Sequence, residues 1–345
     1  MFLQSLLDTD LYKFTMQYAV WRHFPNAEAQ YRLIDRSRPR ISDTFLKKLK
    51  KEIPRWQKLR LKPGEHRFLD SLGLFSPDFL DYLKNFRFKP EQVFLARDKD
   101  ERLAVTIEGP WLETILWEVP ILSLISEMYF TEEEQDWKTP KTEDHFYQRT
   151  YEKAKKLIQG GCHFSDFGTR RRRSRILQKV ALKACIDADR TADDASSPGS
   201  FTGTSNVDLA KKFRLKPVGT IAHEWIMAHG KFSGVENANR DALLRWWQTF
   251  HGNLSIALSD TYTTPLFLKN FDPVLAEEFE GVRQDSGDPK EFVDNLIQFY
   301  ESHSIDPRDK TLVFSDGLNA EKAVDLEQYV NQATQTAYGI GTNLT

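Results

Sequence analysis

The chain has few of the features that mark extracellular or nucleic-acid-binding proteins. It contains two cysteines, Cys162 and Cys185, in 345 residues, which is too few for a disulfide framework and suits a reducing compartment. It has no excess of basic residues, because 48 Lys and Arg are balanced by 50 Asp and Glu, for a formal net charge of -2. Proteins that bind a nucleic-acid backbone usually carry a basic excess. The charge balance therefore argues against a nucleic-acid partner.

Long apolar runs are also missing. The best candidate, residues 111–128, is interrupted by Pro120 and by acidic residues, so we expect no membrane span. Met1 is not followed by a signal-peptide pattern. No Ser or Cys nucleophile elbow and no His and Cys cluster with zinc spacing is present, which disfavours a hydrolase triad and a zinc site. These absences predict a protein of the cytoplasm or the nucleus without a membrane partner.

The most distinctive segment that is present is Asp166-Phe167-Gly168-Thr169, which four consecutive arginines follow at 170–173. Guanidinium groups suit phosphate and carboxylate oxygens better than other side chains do. Because the basic cluster is local, a small anion is a better match than a nucleic acid. The last three arginines are expected to enter a helix at steps of about 100°, so at most two of them could reach one ligand.

Residues 1–110 mix helical and strand patterns, which predicts an N-terminal α+β domain. An apolar stripe in residues 11–21 predicts a helix that Asp8 or Asp10 caps. Alternation predicts a strand at 28–34 and a strand pair at 93–97 and 103–108, and apolar spacing predicts further helices. The predicted helical segments are 45–56, 76–85 and the largely buried 110–129.

After residue 160 a different unit recurs, in which a short apolar run ends in a polar residue and is followed by a small-residue loop and a helix. The six runs are 162–168, 217–224, 254–261, 281–287, 311–317 and 337–342. Such units predict an α/β fold, a parallel (β/α) barrel over residues 111–345 with its working residues at the carboxyl ends of the strands. Residues 187–203, rich in Asp, Ala, Ser and Thr, interrupt the pattern and predict a flexible insertion.

Carboxylates are frequent at these strand ends. Four of the six runs carry an Asp there: Asp166, Asp260, Asp285 and Asp316. Convergent carboxylates suit ribose hydroxyls or Mg²⁺ held together with phosphate oxygens. Each Asp could instead cap the helix that follows it.

Other groups near the strand ends suit phosphate and a flat ring. His223 follows an apolar run, and imidazole can act as acid, base or phosphoryl acceptor, although a lone His is more often structural. The small residues 203–206 and 339–343 offer backbone N–H groups to phosphate. Phe167 with Tyr12 or Tyr262 could sandwich a ring, and core packing is the alternative for Phe167. Together these groups favour transfer of a phosphorylated sugar to a flat anionic ring.

Eight segments match a known family in its own order. The chain resembles the nicotinate phosphoribosyltransferases in residues 6–13, 166–171, 203–207, 219–225, 259–262, 283–289, 315–317 and 339–343. The resemblance implies an irregular barrel of the type II phosphoribosyltransferase kind. It also implies that nicotinate and phosphoribosyl pyrophosphate form nicotinate mononucleotide and pyrophosphate in NAD biosynthesis, with ATP as co-substrate and Mg²⁺ as cofactor.

The resemblance further implies roles for the residues that contact the ring and its carboxylate. Tyr12 and Phe167 would sandwich the pyridine ring, with Tyr12 supplied by the partner subunit of a homodimer. Arg170 and Arg283 would lie near the nicotinate carboxylate and the phosphates. Thr220 would touch the substrate.

The same resemblance assigns the phosphate and ribose contacts. His223 matches the histidine that ATP phosphorylates in the family. Asp285 and Asp316 would face ribose or Mg²⁺, with Asp316 holding the metal with pyrophosphate. Gly341 and Thr342 would bind the 5′-phosphate through backbone N–H groups.

Ser205 bears on which pyridine is used. Relatives that use nicotinamide carry an Asp where this chain places Ser205, and a neutral side chain there favours the acid, nicotinate. Ser205 and the His223 motif thus argue against the two alternative enzymes, a nicotinamide or a quinolinate phosphoribosyltransferase. Because family members continue past the position of Thr345 and return to complete the first domain and the barrel, a truncated, inactive, binding-only homologue is a third alternative.

Overall fold

The computed structural model describes residues 2–34, 39–134, 138, 142–192 and 198–344. The N-terminal part is built on a three-stranded antiparallel sheet in which the third strand is central. Its strands are β1 (Glu28–Arg32), β2 (Val93–Arg97) and β3 (Leu103–Pro110). The predicted strand pair around the 98–102 turn is therefore confirmed.

Six helices accompany this sheet. They are α1 (Leu11–His23), α2 (Asp43–Glu52), α3 (Pro63–Ser71), α4 (Pro77–Asn85), α5 (Trp111–Thr114) and α6 (Glu118–Glu132). Ser42 and Ser76 cap α2 and α4, since each hydroxyl accepts a backbone N–H of the first turn. The helix predicted to run to residue 56 ends at Glu52, and a 3₁₀ turn follows with Pro54 near its start.

The prediction that the side chain of Asp8 or Asp10 caps α1 is wrong. Asp10 occupies the N-cap position, but its side chain makes no capping hydrogen bond, and Asp8 points to arginines instead. The helix is buried from Leu11 to Val20, and its first turn finds backbone partners instead, since Leu11 N–H donates to Ser205 O at 2.8 Å and Lys13 N–H donates to Asp10 O at 3.1 Å. Tyr18 of α1 packs edge-on against Phe250, with the ring centroids 5.8 Å apart. The domain boundary after residue 110 stays a prediction.

The second part is a six-stranded, fully parallel sheet in the order β5-β4-β9-β8-β7-β6. Its strands are β4 (His163–Asp166), β5 (Ser200–Thr204), β6 (Ile256–Leu258), β7 (Gly281–Gln284), β8 (Thr311–Phe314) and β9 (Gln335–Ile340). The helices around it are α7 (Thr142–Gln159), α8 (Arg175–Thr191), α9 (Val207–Phe213), α10 (His223–Ser233), α11 (Ala238–Phe250), α12 (Thr264–Asn270), α13 (Pro273–Glu278), α14 (Pro289–Ser302) and α15 (Ala320–Val330).

One predicted strand and the predicted insertion need correction. Residues 217–224 form no strand, because Pro217 makes a single bridge to Thr204 and α10 already begins at His223. The sixth strand is β5, which begins inside the segment 187–203 and ends just after it, at Thr204. That segment is ordered at both ends, since α8 continues to Thr191 and β5 pairs with β4, while residues 193–197 lie outside the described part of the chain.

The segment that replaces the missing strand closes the sheet. Val218 N–H donates to Thr204 O at 3.0 Å on the β5 side, and Thr220 Oγ1 lies 3.4 Å from Ile256 O on the β6 side. Individual contacts thus join the two edge strands where a regular ladder would join them in a symmetric barrel. This irregular closure agrees with the α/β barrel expected from the sequence.

Nothing in the described helices suggests a membrane span, as none is both long enough and apolar enough to cross a bilayer.

Candidate active site

His223 is held between two polar partners at the start of α10. Its Nε2 lies 3.1 Å from Asp285 Oδ2, and its Nδ1 lies 3.1 Å from Thr261 Oγ1. A carboxylate can only accept, so in the neutral ring Nε2 carries the proton and Nδ1 keeps its lone pair. The side chain is 38 % exposed, which leaves the ring accessible. The amino end of a helix also favours negative charge, such as a phosphoryl group on this ring.

Asp285, at the end of β7, is bound on both oxygens. Oδ2 also accepts from Arg283 Nη2 at 2.9 Å, and Oδ1 accepts from Ser315 Oγ at 2.6 Å. Burial raises the pKa of Asp285, but the hydrogen bond from His223 and the charge of Arg283 outweigh it and hold that pKa well below its ordinary value. With both oxygens taken, Asp285 suits orientation of His223 better than contact with ribose or a metal.

Asp260 supports this arrangement, although sequence reasoning gave it no individual role. Its Oδ2 accepts the backbone N–H of Asp285 at 3.1 Å and the Ser286 hydroxyl. Its Oδ1 is buried without a hydrogen-bond partner. The signal that could have found it was its place at the end of β6, beside β7.

The donors for a metal ion are carboxylate oxygens. Among the described residues, no three His, Cys, Asp or Glu side chains form a metal-binding group. Mg²⁺ needs no such cage when it is held by one or two carboxylates together with substrate phosphates. Asp260, at the end of β6, has an Oδ1 without a hydrogen-bond partner, and Asp316, after β8, is exposed, so either carboxylate is chemically suited to such an ion.

Phe167 rests on the carboxyl end of β9. Its backbone N–H donates to Ile340 O at 2.9 Å, and its ring lies so close to Gly339 that a Cβ there would come within 2.6 Å of it. A Cβ on Gly341 would lie 3.3 Å from Phe167 O. Gly339 therefore makes room for the half-buried ring, and Gly341 lies against the backbone of Phe167, roles that sequence reasoning missed. Thr342, which follows, is exposed.

Tyr12 and Arg170 of the same chain lie near each other. Tyr12 is the second residue of α1, and Arg170 lies in the 3₁₀ turn Thr169–Arg171 with its side chain 45 % exposed. Burial, opposed by the charge of Arg170, raises the pKa of the Tyr12 hydroxyl well above its ordinary value. The structure therefore places one predicted ring contact and one predicted anion contact as neighbours.

Ser205 is buried and does not act alone. Its side chain donates to Asp10 Oδ1 at 2.7 Å, and it is 3 % exposed. Burial raises the pKa of Asp10, in spite of this hydrogen bond and the charge of Arg170. Asp10 is a residue that sequence reasoning treated as a helix cap, and its contact with Ser205 joins positions that are far apart in the chain.

The four arginines at 170–173 do not share one role, because they make different contacts. The prediction that it enters a helix is wrong, because α8 begins at Arg175 after Ser174, which caps it by accepting from Leu177 N–H. Arg172 is 2 % exposed and binds Asp8 with two hydrogen bonds of 2.7 and 3.0 Å. Arg173 lies over the Phe130 ring, 5.2 Å from its centroid. Arg170 remains the member that lies beside Tyr12 and Asp10.

The chain is similar to nicotinate phosphoribosyltransferases over nearly its whole length. The family model described as the nicotinate phosphoribosyltransferase (NAPRTase) family matches residues 162–345, and the model of the N-terminal domain of that family matches residues 7–126. The nicotinate phosphoribosyltransferase of Desulforapulum autotrophicum is 42% identical over 344 residues, covering 99% of this chain and 85% of that relative. The enzyme of Methanosarcina mazei is 42% identical over 358 residues, covering 99% and 86%.

A solved structure of a nicotinate phosphoribosyltransferase has the same fold as this chain. The crystal structure of the nicotinate phosphoribosyltransferase from Porphyromonas gingivalis superposes with a TM-score of 0.92 at 36% identity, covering 99% of this chain and 85% of that one. The matched family models, the relatives and the fold agree with one another. The chain belongs to the nicotinate phosphoribosyltransferase family, which is a family of pentosyltransferases.

Proposed function

We propose that the protein transfers the phosphoribosyl group of phosphoribosyl pyrophosphate to nicotinate, and that ATP drives the transfer by phosphorylating His223. The products are nicotinate mononucleotide and pyrophosphate. The observation that supports the ATP step is the accessible His223 ring, oriented by Asp285 at the amino end of α10. Family membership supports the transfer itself.

The phosphorylation step follows from the tautomer that Asp285 imposes. The Nδ1 lone pair of His223 attacks the γ-phosphorus of ATP, the bond to the bridging oxygen breaks, and ADP leaves with that electron pair. Asp285 holds the proton on Nε2 and stabilises the positive ring as it forms. The phosphoryl group adds negative charge at the amino end of α10, where the helix dipole favours it.

The transfer step depends on positioning and charge. Phe167 and Tyr12 hold the nicotinate ring, and Arg170 binds its carboxylate. In this scheme Tyr12 is contributed across a homodimer or from the same chain, where it already lies beside Arg170. The ribose carbon gains positive character as pyrophosphate departs, so aligned reactants and nearby carboxylates lower the barrier without a protein nucleophile on the sugar.

The phosphates have their own contacts. Backbone N–H groups of Gly341 and Thr342 bind the 5′-phosphate at the end of β9. Asp316 and Asp260 would hold Mg²⁺, which neutralises charge on the pyrophosphate when it is bound.

One assay tests the proposal. Purified protein is incubated with nicotinate, phosphoribosyl pyrophosphate, Mg²⁺ and ATP, and nicotinate mononucleotide is measured by chromatography. We expect product with nicotinate and little with nicotinamide. Folded protein that forms no product would contradict the transferase function.

His223→Ala tests the ATP step separately. The variant is expected to form no acid-labile phosphoprotein and to lose its stimulation by ATP, while the ATP-independent rate remains measurable. ATP stimulation that persists in this variant would show that His223 is not the phosphoryl acceptor.

A further inference from the structure

A serine hydroxyl lies between Arg283 and Asp285, next to the contact of Asp285 with His223. Ser315 directly follows β8, and its Oγ accepts from Arg283 Nε at 2.8 Å and lies 2.6 Å from Asp285 Oδ1. Arg283 Nη2 meets Oδ2, the other oxygen of the same carboxylate, at 2.9 Å. The three side chains therefore close a ring of hydrogen bonds in which the hydroxyl separates Arg283 Nε from Asp285 Oδ1.

The single proton of the Ser315 hydroxyl is directed to Asp285. Gln284 O is a second acceptor, at 3.2 Å, but the carboxylate oxygen is nearer and carries charge. The position of Ser315 does not depend on its hydroxyl, because its backbone N–H donates to Gln284 O at 3.1 Å. Loss of the hydroxyl alone should therefore leave the backbone beside Asp285 in place.

Without this hydroxyl, two groups would lose their partners, and these two groups match each other. Arg283 Nε would lack an acceptor, and Asp285 Oδ1 would lack a donor. A guanidinium and a carboxylate favour two parallel hydrogen bonds, and Nη2 with Oδ2 already supplies one of them. Nε with Oδ1 would supply the second, so Asp285 would turn to face Arg283. The Ser315 hydroxyl prevents this bidentate pair.

The orientation of Asp285 matters because its Oδ2 is shared between Arg283 and His223, whose Nε2 lies 3.1 Å away. On the other side of the imidazole, Nδ1 meets the Thr261 hydroxyl at 3.1 Å, and a hydroxyl can donate or accept. Thr261 therefore fits either neutral tautomer, and of the two partners Asp285 is the one that selects the proton on Nε2. A carboxylate that faces Arg283 would no longer make that selection.

We propose that Ser315 is a positioning residue for the phosphorylation of His223, because its hydroxyl keeps Asp285 from forming a bidentate pair with Arg283. The inference rests on the proposed function, in which the Nδ1 lone pair of His223 takes a phosphoryl group from ATP. It goes beyond that function by assigning the group that keeps Asp285 directed at the ring. The described contacts of the hydroxyl are with Arg283, Gln284 and Asp285, so Ser315 acts on the ring through Asp285.

The tautomer of His223 tests the inference without ATP. Protein with isotopically labelled histidine ring nitrogens is studied by NMR at a pH where the ring is neutral, and the His223 signals are assigned by their absence from His223→Ala. We expect the wild type to carry the proton on Nε2 and Ser315→Ala to show a mixture of both tautomers. Ser315→Thr keeps a hydroxyl and should restore the wild-type signals. A ring that stays protonated on Nε2 in Ser315→Ala would overturn the inference.

Phosphorylation kinetics give the functional readout. The formation of phosphohistidine is followed by rapid quench with labelled ATP in the absence of nicotinate. We expect Ser315→Ala to lower the maximal rate by about tenfold to a hundredfold, the range that loss of one hydrogen bond to a charged group produces. The KM for ATP and the ATP-independent rate of nicotinate mononucleotide formation should stay at the wild-type values. A loss that affects all three quantities alike would show a merely structural role.

Ser255→Ala is the matched control. Ser255 is buried at the opposite end of the same sheet, just before β6, and its hydroxyl accepts the backbone N–H of Glu280 at 3.4 Å. The variant removes a hydroxyl of the same kind far from Asp285, so it should keep the wild-type tautomer of His223 and the wild-type phosphorylation rate. An equal loss of rate in Ser255→Ala would attribute the effect to general stability and would refute the role of Ser315.

Arg283→Lys tests the cause of the effect. A lysine keeps the positive charge but lacks the fork of donors that a bidentate pair needs. In an Arg283→Lys background, the further change Ser315→Ala should therefore reduce the phosphorylation rate clearly less than it does in the wild type. An equal reduction in both backgrounds would contradict the inference. Wild-type protein that forms no phosphohistidine contradicts the proposed ATP step itself, whereas the tautomer measurement, which uses no ATP, still decides the role of Ser315.

Discussion

Ser205 and Asp10 form a buried pair in which a neutral hydroxyl meets a carboxylate, 2.7 Å apart. A second carboxylate at position 205 would face Asp10 and would repel an anionic ring nearby. Sequence reasoning placed Ser205 in the pocket as a neutral side chain. The structure adds that its neutrality also protects Asp10 from a like charge.

Ser205→Asp should therefore lower nicotinate use strongly. We expect kcat/KM for nicotinate to fall by roughly a hundredfold, since a close like-charge contact costs several kcal/mol. Steady-state kinetics with nicotinate and with nicotinamide measure the change. Ser205→Ala is the control, because it removes the hydroxyl without adding charge, and unchanged nicotinate kinetics in Ser205→Asp would refute this role.

Helix α10 carries a second histidine, His229, which unlike His223 is buried. His229 is 0% exposed and lies against the Trp225 ring, with the ring centroids 4.5 Å apart. Its Nδ1 donates to Trp225 O at 2.8 Å, and its Nε2 has no hydrogen-bond partner. Burial lowers the pKa of His229 from 6.5 to about 4. The folded chain therefore excludes a proton that the unfolded chain binds.

The stability of the fold should for this reason fall as the pH drops from 6.5 towards 4. In that window the unfolded state binds more protons, so the free energy of unfolding rises with pH, by roughly 3 kcal/mol over the window. Urea unfolding at several pH values measures the slope. His229→Gln should flatten it, and His145→Gln, at an exposed position on α7, should keep it. If the free energy of unfolding of His229→Gln changes with pH as steeply as that of the wild type, His229 is not the source of the pH dependence.

The elements differ in how well the sequence predicts them. β8 was predicted because Leu312, Val313 and Phe314 make it an apolar run. β5 was missed, since Ser200-Phe201-Thr202-Gly203-Thr204 holds a single large apolar residue and is stabilised by its pairing with β4. A strand that is stabilised mainly by pairing with its neighbour cannot be recognised from its own sequence pattern.

The same distinction applies to the site. Asp285 and His223 could be predicted as a set, because both were expected at the carboxyl ends of parallel strands, which meet at one edge, although the segment before His223 is not a strand. Their contact with each other could not, and neither could the contacts of Asp10 with Ser205 or of Lys13 with Glu118. These pairs join distant segments, so they depend on how helices pack against the sheet and not on any local pattern.

At the scale of the whole molecule, a buried ionic network ties the two parts of the chain together. Asp8 precedes α1. Its carboxylate accepts hydrogen bonds from Arg172 and from Asn206 Nδ2, the latter at 2.8 Å, and it forms an ion pair with Arg175 at 3.1 Å. Arg172 also binds Glu127 of α6 at 2.7 Å. Asp8, Glu127, Arg172 and Arg175 thus share one solvent-excluded cluster. Removing one member leaves others buried without full compensation.

Asp8→Asn should therefore destabilise the whole fold, by about 3–5 kcal/mol at neutral pH. Burial raises the pKa of Asp8, but the charge of Arg172 outweighs it and lowers that pKa from 3.8 to about 2. A depressed carboxyl pKa contributes stability that is complete above pH 3.8 and is lost as the pH falls through about 2. The stability gap between wild type and Asp8→Asn should hence be constant from neutral pH to about pH 4 and narrow below it.

Denaturant unfolding of both proteins across that range measures the gap, and Asp306→Asn provides the control. Asp306 pairs with Arg308 on the surface, so its loss should leave the unfolding midpoint unchanged. If the network joins both parts of the chain, Asp8→Asn should lower the unfolding transitions of the N-terminal and C-terminal parts together, followed for instance by Trp56 and Trp246 fluorescence in single-tryptophan backgrounds. Separate transitions, with the C-terminal part unaffected, would show that Asp8 stabilises its own segment alone.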